Sequence, residues 1–186
     1  MRIAISMADL VGGILLTAGA VNAEQPAAQP AAPSPLDAIP DKLPFNTPYG
    51  APISLERAEA AIKAAMAEAT KKGWPMNIAV VDSGGNLMAF ARMDGAQLSS
   101  IAVSEHKARA AVMFRRPTKA FEDGIQKSGA TYLLTLDGVI ASRGGIPLIV
   151  DGKIIGAIGC SGGAGSQDEV VSSAGAATIN AATVNK

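Results

Sequence analysis

Residues 78–97 read IAVVDSGGNLMAFARMDGAQ, residues 105–121 read EHKARAAVMFRRPTKAF, and residues 144–168 read GGIPLIVDGKIIGAIGCSGGAGSQD. Their order decides the fold. Two short apolar runs, 76–82 and 87–93, flank the turn residues Ser83-Gly84-Gly85-Asn86 and predict a β-hairpin. Asp94-Gly95 breaks the chain, and 97–114 reads as an Ala-rich helix capped by Ser99 or Ser100 and ended by Arg115-Arg116-Pro117. A short helix over 118–127 follows, then a turn at Asp137-Gly138. Asp151-Gly152 between 146–150 and 153–160 is a type I′ hairpin signal. The Gly-rich loop 161–165 leads into a last helix. Ser166 and Glu169 match a capping box for it, and Val170, Ala174, Ala177 and Ala181 its buried face.

Working outward, residues 54–72 form the clearest helix. Leu55, Ala58, Ile62, Ala65, Met66 and Ala69 recur at three- and four-residue spacing, Ser54 suits the N-cap, and Gly73 suits the stop. The order helix, hairpin, helix, short helix, hairpin, helix predicts an α/β (α+β) sandwich: a mostly antiparallel sheet covered by helices. Aromatic residues are 4% of the chain, so the core is expected to be built from Ala, Val, Ile and Met with helices close to the sheet.

The leader regions read differently. Residues 10–21 (LVGGILLTAGAV) follow Arg2 and end in Val21-Asn22-Ala23, the pattern of a signal peptide over 1–23. The apolar stretch is shorter than the roughly 20 residues that span a bilayer. Residues 24–52 are rich in Pro and Ala and predict an extended linker or arm, with Leu43, Phe45 and Tyr49 able to lie against the domain, which spans 53–186. The expected location is periplasmic or secreted. Cys160 is the single cysteine, so no intrachain disulfide forms, and a buried inert thiol is the expectation. Sixteen basic residues balance sixteen acidic ones without a basic stripe, which argues against nucleic acid as a partner.

The segments VVDSGGNLMAFARMDGA, KARAAVMFRRPT and GGIPLIVDGKIIGAIGCSGGAGSQD together resemble the GlcG/HbpS-like haem-binding proteins, which are also similar to the C-terminal domain of PduO-type proteins. The resemblance covers about residues 53–181. It implies a profilin-like fold with a five-stranded antiparallel sheet between helices, and assembly into homo-oligomers. It implies haem as a ligand, with exported members linked to haem sensing or oxidative stress and hence to a membrane sensor partner. It leaves enzymatic action open, since the family includes activity on a hydroxyquinone.

Several residues are candidates for the chemistry. His106 is the single histidine and shares a helical face with Ala102, Arg109, Ala110 and Met113. It is a candidate axial ligand to haem iron, with Arg109 and Met113 beside it. Ser161, Gly162 and Gly163 begin a loop whose N–H groups, next to a helix N-terminus, suit a propionate or small carboxylate. The loop lacks the Lys-Ser/Thr of a P-loop and the spacing of a dinucleotide fingerprint. Asp82, Asp94 and Arg92 either fix turns or serve as acid, base and anchor in an enzyme acting on a small hydroxyquinone-like or hydroxy-acid substrate. Arg143 either holds a carboxylate or lies at a strand edge. The leading expectation is an exported, oligomeric haem-binding protein used in sensing, storage or protection. The alternative is the enzyme.

Overall fold

A computed structural model of the chain describes residues 37–180. The signal-peptide reading, the linker up to residue 36 and Ala181 lie outside them. Four helices, α1 (Leu55–Lys72), α2 (Ser99–Met113), α3 (Lys119–Ser128) and α4 (Gly165–Asn180), accompany four strands, β1 (Asn77–Asp82), β2 (Leu87–Arg92), β3 (Gly145–Val150) and β4 (Lys153–Ser161). A 3₁₀ helix, Thr131–Thr135, follows α3.

The strands form one antiparallel sheet in the order β2-β1-β4-β3. Side chains alternate across it. Ile78, Val80, Ile158 and Cys160 face α1 and α4, while Ala79, Val81, Ile154 and Ala157 face α2. The result is a three-layer sandwich, helices on both faces, as the element order predicts. Instead of five strands, four are present among the described residues. The arm adds only an isolated parallel bridge from Tyr49 to Ile154. Pro44, Pro48 and Pro52 deprive it of the N–H donors that a longer ladder needs.

The α2 face is lined by small residues for a steric reason. A Cβ on Gly159 would lie 2.2 Å from the Ser104 carbonyl oxygen, and one on Gly145 would lie 2.2 Å from that of Lys107. Backbone therefore packs on backbone, which sets the position of α2 to a fraction of an ångström. The β3–β4 turn is the expected one: Asp151 and Gly152 both have positive φ, 48° and 72°.

The ends of α2 and α4 differ from the sequence reading. Leu98, with no side-chain cap bond, precedes α2, while Ser100 is buried and accepts a bond from Gln97 Nε2. At the other end Arg115 adopts φ 54°, its N–H donating to Val112 and that of Arg116 to Ala111, a Schellman closure without glycine. The last helix starts at Gly165, earlier than the Ser166–Glu169 box implies. Gln167 Oε1 accepts from the Ala164 N–H, the N3-to-N-cap half of a box. The buried face shifts accordingly to Val171, Ser172, Gly175, Ala176 and Ile179, leaving Val170 and Ala177 exposed.

The arm is docked as Phe45 and Tyr49 suggested. The Tyr49 hydroxyl is 3.0 Å from the carbonyls of both Val112 and Met113, terminal acceptors of α2. The Arg116 guanidinium stacks on Phe45 at 3.7 Å. Leu43 remains exposed.

Candidate functional site

Helix α2 has two chemically different faces. Ser104, Lys107, Ala108 and Ala111 turn inward and are buried. His106, Arg109 and Met113 turn outward at helical spacing, with His106 half-buried. Together with Phe114, Asp137 and Gly138 they line a pocket of about 320 Å³. That lies at the small end of ligand-pocket volumes, roughly 300–1,000 Å³. Two larger grooves, of about 410 and 560 Å³, lie elsewhere and contain no histidine.

Local structure explains the walls. Phe114 is held edge-on against Phe121 at 5.2 Å, at the close of α2. The Asp137-Gly138 turn follows the 3₁₀ helix, and Gly138, at φ 80°, brings the turn close to Phe114, so that an added Cβ would sit 3.8 Å from its ring. Arg109 reaches the first hairpin, its Nε donating to the Gly85 carbonyl at 3.3 Å, and pairs with Glu105 at 3.4 Å. The pocket thus offers an imidazole donor, an exposed guanidinium, a carboxylate at the rim, and apolar walls from Met113 and Phe114.

The Gly-rich loop does not share this pocket. Ser161 is buried and donates to Ser100 Oγ at 3.0 Å. The N–H groups of Gly162 and Gly163 both donate to Asp168 Oδ1, at 3.1 and 3.0 Å. The anion that the loop suits is therefore supplied by the chain's own Asp168, in the first turn of α4. Its other oxygen meets Lys107 Nζ at 2.6 Å, with both side chains almost fully buried. The helix and loop do not form one groove: Lys107 faces the loop's carboxylate from inside, and His106 faces out.

This buried pair is what sequence reasoning missed. The signal was present in two places. Lys107 lies on the apolar face with Ser104, Ala108 and Ala111, and a first-turn aspartate follows a run of loop N–H donors. Cys160 lies in the same interior region, fully buried, and burial pushes its thiol up to about 12 against a hydrogen bond with Ser172 that pulls the other way. It is the inert thiol expected.

The remaining candidates are occupied structurally. Asp82 Oδ1 accepts from the N–H groups of Gly84 and Asn86, fixing the hairpin turn. Arg92 and Asp94 are exposed at the far end of β2. Arg143 holds a carboxylate of its own chain, Glu122, through Nη2 at 2.6 Å and Nε at 2.9 Å, and reaches Glu169 at 3.5 Å. Among the described residues no group of three or more His, Cys, Asp or Glu gathers as a bare metal site.

A family model described as "haem degrading protein HbpS-like" matches residues 53–177, most of the chain. The chain belongs to the HbpS-like family. Among its HbpS-like relatives, the protein GlcG of Escherichia coli K12 is 42% identical over 109 residues, covering 59% of this chain and 81% of GlcG. A crystal structure of a double mutant of Streptomyces reticuli HbpS superposes with a TM-score of 0.65 at 32% identity, covering 83% of this chain and 99% of that one. The crystal structure of a PduOC–haem complex superposes with a TM-score of 0.63 at 28% identity, covering 69% and 96%.

Proposed function

We propose that this HbpS-like protein is an exported, homo-oligomeric haem-binding protein acting in haem sensing, storage or protection, and that it takes haem at the α2 pocket. The observation that carries the reading is the convergence of His106, Arg109, Met113 and Phe114 on one pocket, in a family with a haem-complexed structural neighbour.

The donor set fits the group. His106 would offer a nitrogen to the iron, Met113 and Phe114 would offer apolar contact to the ring, and Arg109 would offer a guanidinium to a propionate. Haem, when bound, supplies a redox-active iron with an intense visible absorption. The chain's own part is to hold that ring, to keep Arg109 oriented through Gly85 and Glu105, and to present the imidazole from a helix locked on the sheet. The test is haem titration of the chain lacking its first 23 residues, followed by absorbance. Saturable binding altered in His106→Ala supports this site, while the absence of binding overturns the reading. Fractionation of expressing cells tests export, and a pull-down from membranes tests a sensor partner.

A second reading is an enzyme. The family's description as haem degrading favours it, and His106 and Asp137 on one pocket supply two groups of the kind that exchange protons with a substrate. Loss of the haem band under turnover with a reductant and oxygen, abolished in His106→Ala, supports it. A stable haem complex under the same conditions counts against it. A small hydroxyquinone or hydroxy acid at the same pocket is the further enzymatic alternative, tested by turnover without haem.

A further inference from the structure

The two edges of the sheet are treated differently. The β3 edge is sealed: Pro147 has no N–H, Asn180 Oδ1 accepts from the Ile149 N–H at 2.8 Å, and Asn180 Nδ2 donates to the Pro147 carbonyl. Proline and a covering side chain are standard ways to close a sheet edge. The β2 edge carries neither. It is the outer strand of the sheet, with sequence LMAFAR, and its single charge, Arg92, sits at the end.

Beside that edge runs a groove of about 410 Å³ between β2 and α1, with Ile62, Met66 and Met88 at its base and Leu55 exposed on its wall. Glu59 and Lys63 stand on its α1 side, both exposed, and neither has an ion-pair partner within the described residues. The groove brings the middle of β2, at Ala89, next to the stretch of α1 centred near residue 61. That alignment matters under a twofold axis. An axis that pairs β2 antiparallel with its own copy about Ala89 sets the two α1 helices side by side on one face. Glu59 of each protomer then meets Lys63 of the other.

The geometry points to the β2 edge and the α1 groove as an isologous interface that takes a second copy of this chain, joining two four-stranded sheets into one of eight. The paired charges select a second copy over an unrelated strand, because the surface is complementary to itself. This deepens the oligomeric part of the function proposed above by assigning it a surface, and it is independent of haem.

The experiment is sedimentation and native mass measurement of the chain lacking residues 1–23, across a concentration series, with three variants. Lys63→Glu and Glu59→Lys each place like charges across the axis. They are expected to weaken self-association by about tenfold or more. The double swap Glu59→Lys/Lys63→Glu restores opposite charges and is expected to restore the native mass. Both positions are solvent-facing, and circular dichroism checks that the variants fold. An oligomer whose strength is unchanged by the single reversals overturns this interface while keeping the oligomer. A monomer at all concentrations overturns both.

Discussion

Lys107 Nζ and Asp168 Oδ2 meet at 2.6 Å in the interior, while Asp168 Oδ1 accepts the Gly162 and Gly163 N–H groups. One carboxylate thereby ties α2, the loop after β4 and the start of α4 together. Removing one partner leaves a buried charge without compensation, which costs about 3–5 kcal/mol. Lys107→Met and Asp168→Leu are each expected to lose about that much stability in urea unfolding. The double variant is expected to recover only the part of the loss that comes from the unpaired charge, because Asp168→Leu still leaves the Gly162 and Gly163 N–H groups without their acceptor.

Gly159 fixes the same helix from the sheet side. An alanine there would press its Cβ into the Ser104 carbonyl and the Ala108 amide. Gly159→Ala is expected to destabilise by about 1–3 kcal/mol. Because α2 must move away, it is also expected to weaken haem binding measured at the outer face. Normal affinity in a destabilised variant would disconnect the packing of α2 from the pocket.

The Cys160 thiol should be silent in the folded protein. Its ordinary value is 9.0, and burial raises it to about 12. Thiolate is then negligible at mildly alkaline pH, and alkylation is expected only after unfolding. The linkage sign follows: the unfolded chain releases this proton first, so the contribution to stability is complete below pH 9.0 and is lost as pH rises toward about 12. Alkylation kinetics with and without urea check the first point, and alkaline melting of Cys160→Ala against the native chain checks the second.

Glu122 titrates in the opposite sense. Its hydrogen bonds from the Arg143 side chain hold its carboxyl below the usual value of 4.5, against desolvation. A depressed folded value gives stability that is present above the ordinary carboxylate range and lost as pH falls through the folded value. Glu122→Gln should therefore melt lower than the native chain at neutral pH, with the gap closing as pH falls below the ordinary carboxylate range. A gap independent of pH would mean that packing, not charge, is what the substitution removes.

The arm contributes through Tyr49. Its hydroxyl meets two terminal carbonyls of α2, so Tyr49→Phe removes about 1 kcal/mol. Faster proteolysis within residues 37–50 is the expected readout, with little change in the core.

Much of the sandwich was legible because its signals are local. Ser54 and Gly73 bracket α1, where Ser54 Oγ accepts from Arg57 N–H and Gly73 adopts φ 68°. Asp151-Gly152 determines its own turn. The family was legible from three segments that lie in β1–β2, α2 and β3–β4. What was not legible depended on partners far along the chain. The start of α4 shifted because Asp168 and Gln167, not Ser166 and Glu169, satisfy the loop. Lys107 was overlooked because an exposed role is the usual one for lysine, and only the fold brings it to Asp168, 61 residues away. His106, Arg109 and Met113 were placed together by helical spacing alone, but Phe114, Asp137 and Gly138 join them only through the turn after the 3₁₀ helix.

The central claim is that the outer face of α2 holds haem through His106. The most direct measurement is the absorbance spectrum of the haem-titrated protein beside His106→Ala, a substitution at a half-buried position that leaves the sheet contacts of α2 intact. The account predicts saturable binding in the native chain and a shifted or abolished band in the variant. An identical band in both, or no band in either, would contradict it.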